Sequence, residues 1–156
     1  IRDVRIMSFL AEAALNKDPA VFSSQAISNI YNAFARLNVF NHKLCSHLSL
    51  AALLITPSSF APQNVGIIVN ANANFALLDF ALLGHMAHAM ILNIESADGQ
   101  AVSNFIHSVA TLNIKMHLLQ GVLFSWIAQQ NPRSFAPQAL ANIAWSMAIL
   151  NCTAAA

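Results

Sequence analysis

Asn29, Asn32 and Arg36 stand four, seven and eleven residues after Gln25. The same offsets from Gln63, Gln100 and Gln138 give Ile67, Asn70 and Asn74; Asn104, His107 and Thr111; and Asn142, Trp145 and Ile149. Residues three and four apart share one face of an α-helix, so each trio forms a stripe. These residue types suit a nucleic acid. A carboxamide can bond a base edge, a guanidinium can pair with phosphate, and an indole or imidazole can stack on an exposed base. The stripe changes from copy to copy, as a reader of sequence would. A plainer reading stands beside it: a recurring Asn can satisfy backbone groups between helices, and Trp145 can be core.

Other chemistry is poorly provided for. His42, Cys45 and His47 lie close in sequence, and His85 and His88 are about one helical turn apart. Zinc ligation needs three or four converging ligands, and no zinc-finger spacing is present. Asp79 and Glu95 are isolated, and no Ser/His/Asp or paired-carboxylate arrangement emerges. The expectation is a protein with no catalytic residues, metal, cofactor or small-molecule substrate. Cys45 and Cys152 form no motif and read as free thiols in a reducing compartment.

The elements that must position the stripes are legible in the glutamines, which are spaced by 38, 37 and 38 residues. Self-similarity at such a period marks a helical repeat array. Phe22–Asn38, Phe60–Phe75, Asp98–Asn113 and Phe135–Asn151 read as the first helices of four repeats. Ser23 and Asp98 can cap, and Phe22 can pack on Ile27 as a hydrophobic staple; Ala97 weakens the staple of the third copy. Ile27, Ile30, Tyr31, Phe34 and Leu37 form the predicted apolar stripe of the first copy. Leu140, Ile143, Ala144, Met147 and Leu150 form that of the fourth, with Asn142 on its polar face. The small residues Ser28, Gly66, Ser103 and Ala141 hold equivalent places and would allow close helix contact.

Second helices are predicted over about His42–Leu54, Leu77–Leu92 and Lys115–Gln129. Asp3–Leu15 is an amphipathic helix with apolar Val4, Ile6, Met7, Leu10, Ala13 and Ala14. By position it is the second helix of a preceding repeat, over residues 1–18. The predicted fold is therefore all-α: an α-solenoid of stacked antiparallel helix pairs, one array over residues 1–156, with repeats starting near 22, 60, 98 and 135 and the last incomplete. A chain that opens at Ile1 within a helix-like run reads as a fragment of a longer protein, so a targeting signal is not visible.

Composition limits the partners. The chain is 57% hydrophobic and only 8% charged. Most soluble domains carry about three times that share of charge, so either lipid or neighbouring subunits should cover much of the surface. Lipid is the weaker choice. The best candidate span, Phe75–Leu92, contains Asp79, His85 and His88, which are costly in a bilayer. Net charge is +1 with no basic run, so nucleic-acid binding by this piece alone should neutralise few phosphates.

Phe135, Pro137, Gln138, Leu140, Asn142, Trp145, Ala148 and Leu150 make up a motif that resembles the octotricopeptide and heptatricopeptide repeats. The first copy shares Phe22, Gln25, Asn29, Ala35 and Leu37, and the third shares Gln100, Asn104, Ala110 and Leu112. The second departs, with Ile67 where the others have Asn. Those families are organellar RNA-binding proteins of mitochondria or chloroplasts, acting in RNA processing, stability and translation, and some are built into organellar ribosomes. The resemblance implies a mitochondrial protein, with a chloroplast or other plastid as the alternative. It implies RNA, rRNA in particular, and the neighbouring proteins of a large ribonucleoprotein such as a mitochondrial ribosome as partners.

Two further readings stay open: a protein-interaction scaffold without RNA contact, and an enzyme whose catalytic domain lies elsewhere. An RNA-binding array should gather Arg36, Lys43, Lys115 and Arg133 towards one surface; a scaffold need not.

Overall fold

The computed structural model describes residues 3–150. Among them are eight α-helices and no strand. They are α1 (Val4–Leu15), α2 (Ser24–Arg36), α3 (His42–Leu53), α4 (Pro62–Asn74), α5 (Phe80–Leu92), α6 (Gly99–Thr111), α7 (His117–Gln129) and α8 (Pro137–Ile149). The first helices α2, α4, α6 and α8 pack side by side in one layer; the second helices α1, α3, α5 and α7 form the other. Each of α2, α4 and α6 also packs on the helix that follows it. The core is one continuous cluster running from Met7 to Leu150, as expected when each repeat buries its apolar face on its neighbours. No helix among the described residues is long and apolar enough to cross a membrane.

Local signals set the starts. Side chains of Ser23, Asn41, Asp79 and Asp98 accept hydrogen bonds from the backbone amides of Ala26, Leu44, Leu82 and Ala101, satisfying donors that the first turn leaves free. The helices α4 and α8 lack such a cap and open on Pro62 and Pro137 instead. Proline has no amide to orphan there and a φ already suited to the first turn.

The first helices end alike. Asn38, Ala76 and Asn113 adopt φ of 51°, 51° and 53°. The following amides of Val39, Leu77 and Ile114 reach back to the carbonyls of Phe34, Asn72 and Val109. This is the Schellman arrangement, which closes a helix and turns the chain.

The structure moves several predicted boundaries. The second helix of repeat two begins at Phe80, not Leu77, because Ala76 is left-handed and Asp79 caps. That of repeat three begins at His117, not Lys115. Four 3-10 turns, Pro19–Val21, Pro57–Ser59, Ile94–Ser96 and Pro132–Ser134, each lead into a first helix. Asn151, the predicted end of the first helix of repeat four, and Cys152 lie outside the described residues.

Burial also corrects the apolar stripes at both ends. In α8 the buried residues are Ala139, Ile143 and Ser146, with Leu150 buried just after it; Leu140 and Ala144 are exposed, and Met147 is half-buried and packs against the core. In α1 only Met7 and Ala11 are buried; Val4, Ile6 and Leu10 are exposed. Leu37 of the first copy is exposed as well. The small residues hold at three of four places: Ser28, Gly66 and Ser103 are buried, whereas Ala141 is exposed. A Cβ added at Gly66 would stand 3.1 Å from the carbonyl oxygen of Ala101, so glycine sets the approach of α4 to α6.

Candidate functional site on the first-helix face

Four parallel stripes reach the surface of the first-helix layer. Asn29, Arg36, Asn74, Thr111, Trp145 and Ile149 are exposed; Asn32, Ile67, Asn70, Asn104, His107 and Asn142 are half-buried. None of the twelve is buried, so Trp145 is not core: its side chain is on a surface-facing position with the residue 43% exposed. Side-by-side packing of α2, α4, α6 and α8 then joins the stripes into one face.

Contacts across that face are polar and aromatic. The Trp145 and His107 rings lie 4.9 Å apart, centroid to centroid, with planes inclined at 37°. Asn70 donates to Ser108 Oγ on the next helix at 3.4 Å and accepts from Asn74 at 3.1 Å. Asn142 accepts from Gln138 at 2.9 Å. These bonds of Asn70, Asn74 and Asn142 run to other side chains.

The glutamines themselves belong to the site, which the chosen offsets missed. Gln25, Gln63, Gln100 and Gln138 are exposed one turn before the +4 position, a spacing that places them on the same face. Between α6 and α8 a cleft of about 330 Å³ is lined by Asp98, Gln100, Asn104, Gln138 and Asn142, among others. A smaller one of about 180 Å³ between α4 and α6 is lined by Gln63, Ile67, Gln100 and Asn104. Asp98 caps α6 through one oxygen and receives Gln63 at 3.4 Å on the other. Amides and a carboxylate can take amino and keto edges of a base, but this carboxylate repels phosphate.

The cations divide between the two ends of the helices. Arg36 and Lys43 flank the α2–α3 link and Lys115 stands in the α6–α7 link, all exposed and all where first helices end. Arg133 lies in a 3-10 turn at the opposite end.

His47, His85 and Cys45 serve the fold. The Phe22 ring meets His47 edge-on at 5.9 Å, and Phe60 meets His85 at 6.0 Å. Each histidine follows its phenylalanine by the same interval, and repeat three replaces both rings together, with Ala97 and Val122. His85 Nε2 also bonds the Ile55 carbonyl at 2.8 Å. Burial pushes the Cys45 thiol up, against a backbone hydrogen bond at Asn41 that favours the thiolate. A protonated, buried thiol is a poor nucleophile and ligand. Among the described residues no three of His, Cys, Asp and Glu gather where they could hold a metal ion. No family model matches the chain, and no curated protein matches it in sequence.

Proposed function

We propose that this chain is an organellar RNA-binding helical-repeat protein of the octotricopeptide or heptatricopeptide kind, binding single-stranded RNA along the first-helix face. One observation carries the reading: on four adjacent helices the same offsets bring amide, imidazole, indole and guanidinium groups to the surface, with a different set on each. Recognition of unpaired RNA relies on stacking and on base-edge hydrogen bonds, and these groups offer both. The RNA backbone would run along the helix ends that carry Arg36, Lys43 and Lys115, away from Asp98.

So few cations release few counterions, so affinity of the isolated chain would be low and weakly salt dependent. That favours a place in a large ribonucleoprotein, a mitochondrial ribosome being the finer form of the proposal, where it would bind and stabilise rRNA beside protein neighbours. The reading assigns the chain no catalysis. Photo-crosslinking of the assembled particle tests it. Crosslinks from RNA to α2, α4, α6 and α8 are expected. Crosslinks only to protein neighbours would overturn it, and failure to co-sediment with ribosomal subunits would remove the ribosomal form alone.

A protein scaffold is the second reading. It is favoured by apolar side chains exposed on the second helices and their ends, Leu50, Leu53, Leu54, Leu92 and Leu118. Protein crosslinks concentrated on α3, α5 and α7 would favour it.

A further inference from the structure

The link between α2 and α3 gathers groups that the later links do not. Arg36, Phe40, His42 and Lys43 are all exposed there, Phe40 by 51%. At the same four places the second link has Asn74, Leu78, Phe80 and Ala81, and the third has Thr111, Lys115, His117 and Leu118. Only the first of these links sets rings between two cations. Its field is also unopposed along the sequence: no Asp or Glu occurs between Asp18 and Asp79, and Arg36 and Lys43 are the only Arg or Lys in that interval. Asp79, at the start of α5, has its carboxylate engaged by the Leu82 amide and the Ser49 hydroxyl.

The exposed ring is braced from within the array. Phe40 leans on Phe75, 5.3 Å between centroids with planes inclined at 52°, and meets His42 edge-on at 6.4 Å. Phe75 closes α4 and packs against the core. Phe40 therefore sits between repeats one and two, away from both ends of the described chain, and half of it still faces water. A ring held in this way loses little freedom when a flat group stacks on it.

We infer that this link clamps one unpaired nucleotide of RNA, its base stacked on Phe40 and its phosphates paired with Arg36 and Lys43. Ring and cations point to the same ligand. A base covers an aromatic face, and a guanidinium and an ammonium take phosphate oxygens. An acidic peptide would satisfy the cations and leave the ring bare. Arg36 and Asn74 hold the last offsets of the first two stripes, so the clamp adjoins the first-helix face at its edge. The inference rests on the RNA reading and adds a fixed point to it. Because the group of residues occurs once, it anchors the strand at one place on the array, whatever bases lie on the other repeats.

Fluorescence anisotropy of a short, labelled single-stranded RNA of mixed sequence, titrated with the chain at low salt, tests it. Phe40→Leu copies repeat two and keeps an apolar contact on Phe75 without the stack. It should weaken binding about five- to hundredfold, the range that one base–aromatic stack supplies. Phe40→Trp should bind as the wild type does. Replacing Arg36 and Lys43 together by Ala should lower the salt slope by about 1–2. A duplex of the same length, which shows phosphates but no free bases, should compete poorly. Unchanged affinity in Phe40→Leu, with Trp145→Ala weakened, would overturn the clamp and leave the first-helix face standing. The reverse pattern would support the clamp and remove the face. A wild type that binds no RNA would overturn both. Displacement of the RNA by poly-glutamate as readily as by unlabelled RNA would also overturn the clamp, giving the link to an acidic protein partner.

Discussion

The indole of Trp145 lies against the imidazole of His107, 4.9 Å between centroids, and the two residues hold the same repeat position on adjacent first helices. One equivalent pair has thereby become a shared aromatic platform across α6 and α8. If a base stacks there, Trp145→Ala should weaken RNA binding by about 1–3 kcal/mol. Its exposure means that the melting temperature should hardly change. Arg36→Ala should behave differently, weakening binding uniformly across sequences and lowering the salt slope by about 1. Fluorescence titrations at several salt concentrations separate the two. An unchanged affinity in Trp145→Ala would remove the platform from the RNA path.

Tyr31 makes a pH prediction. Its hydroxyl donates to the carbonyl oxygen of Cys45 at 3.0 Å, joining α2 to α3. Burial raises its pKa well above the ordinary value; the neighbouring Cys45 and Asp79 add to the rise, and the Asn72 amide opposes it. In the unfolded chain the phenol ionises near pH 10. With the folded pKa the higher of the two, this contribution to stability is whole below about pH 10 and is lost progressively above it, as the unfolded state sheds its proton first. Tyr31 is the chain's single tyrosine, so tyrosinate absorbance reports on it alone. Absorbance should rise together with the loss of helical circular dichroism. Titration near pH 10 in a fully folded chain would contradict the burial argument. Tyr31→Phe should flatten the alkaline slope while costing about 0.5–1.5 kcal/mol at neutral pH for the lost hydrogen bond.

Gly84 and Gly121 hold equivalent interior positions of α5 and α7, and a Cβ built on either meets nothing within 4 Å. Glycine there costs backbone entropy without relieving any clash. Gly84→Ala and Gly121→Ala should each raise stability by about 0.5–1 kcal/mol, or a few degrees in melting temperature. Gly66→Ala should gain less or lose, because its new Cβ would crowd the Ala101 carbonyl, which is held in helix α6. Thermal melts of the three variants check the order, and an equal gain at Gly66 would show that α4 and α6 can separate freely.

Asn72 is fully buried at a position where the other first helices have Phe34, Val109 and Met147. Its Nδ2 donates to the Ile68 carbonyl at 2.9 Å, while its Oδ1 has no hydrogen-bond partner. An unpaired buried acceptor costs about 1–3 kcal/mol. The Ile68 carbonyl belongs to a helix and keeps its backbone partner. Asn72→Val, which copies repeat three, removes the unpaired Oδ1 but also the amide beside the Tyr31 hydroxyl, so it should raise stability by less than about 1 kcal/mol. A lower melting temperature in this variant would mean that Oδ1 is satisfied in solution.

The period, the helix pairs and the exposed offsets were legible because each is written several times: Gln25, Gln63, Gln100 and Gln138 mark the same turn of the same helix. What was lost lay where a copy departs from the others or where a neighbour is required. Leu140 reads as core in any sequence-based periodicity, yet it is exposed because no described helix packs over it, and periodicity within α8 carries no information on its neighbours. The face shared by Trp145 and His107 needed the inter-helix packing to appear, although their common offset was visible. The start of α5 was misplaced for a simpler reason, which leads to the last prediction.

Asn38, Ala76 and Asn113 are the three residues with positive φ at the ends of α2, α4 and α6. Asparagine tolerates this left-handed conformation and signals it in a sequence; alanine does neither. The end of the first helix near Phe75 is read correctly, but nothing at Ala76 announces the left-handed turn after it, and Leu77 reads as the start of α5. The same substitution carries an energetic cost, since a Cβ in the left-handed region crowds the following carbonyl. The Schellman bonds of α4, from the amides of Ala76 and Leu77 to the carbonyls of Ala73 and Asn72, hold the residue there in spite of it. Ala76→Asn should relieve part of the strain and stabilise the array by about 0.5–1 kcal/mol. Asn113→Ala, the reverse change at the equivalent place, should cost a similar amount. Chemical denaturation of both variants decides the matter: opposite shifts of similar size are expected, and two shifts of the same sign would show that the turn conformation is not what these residues control.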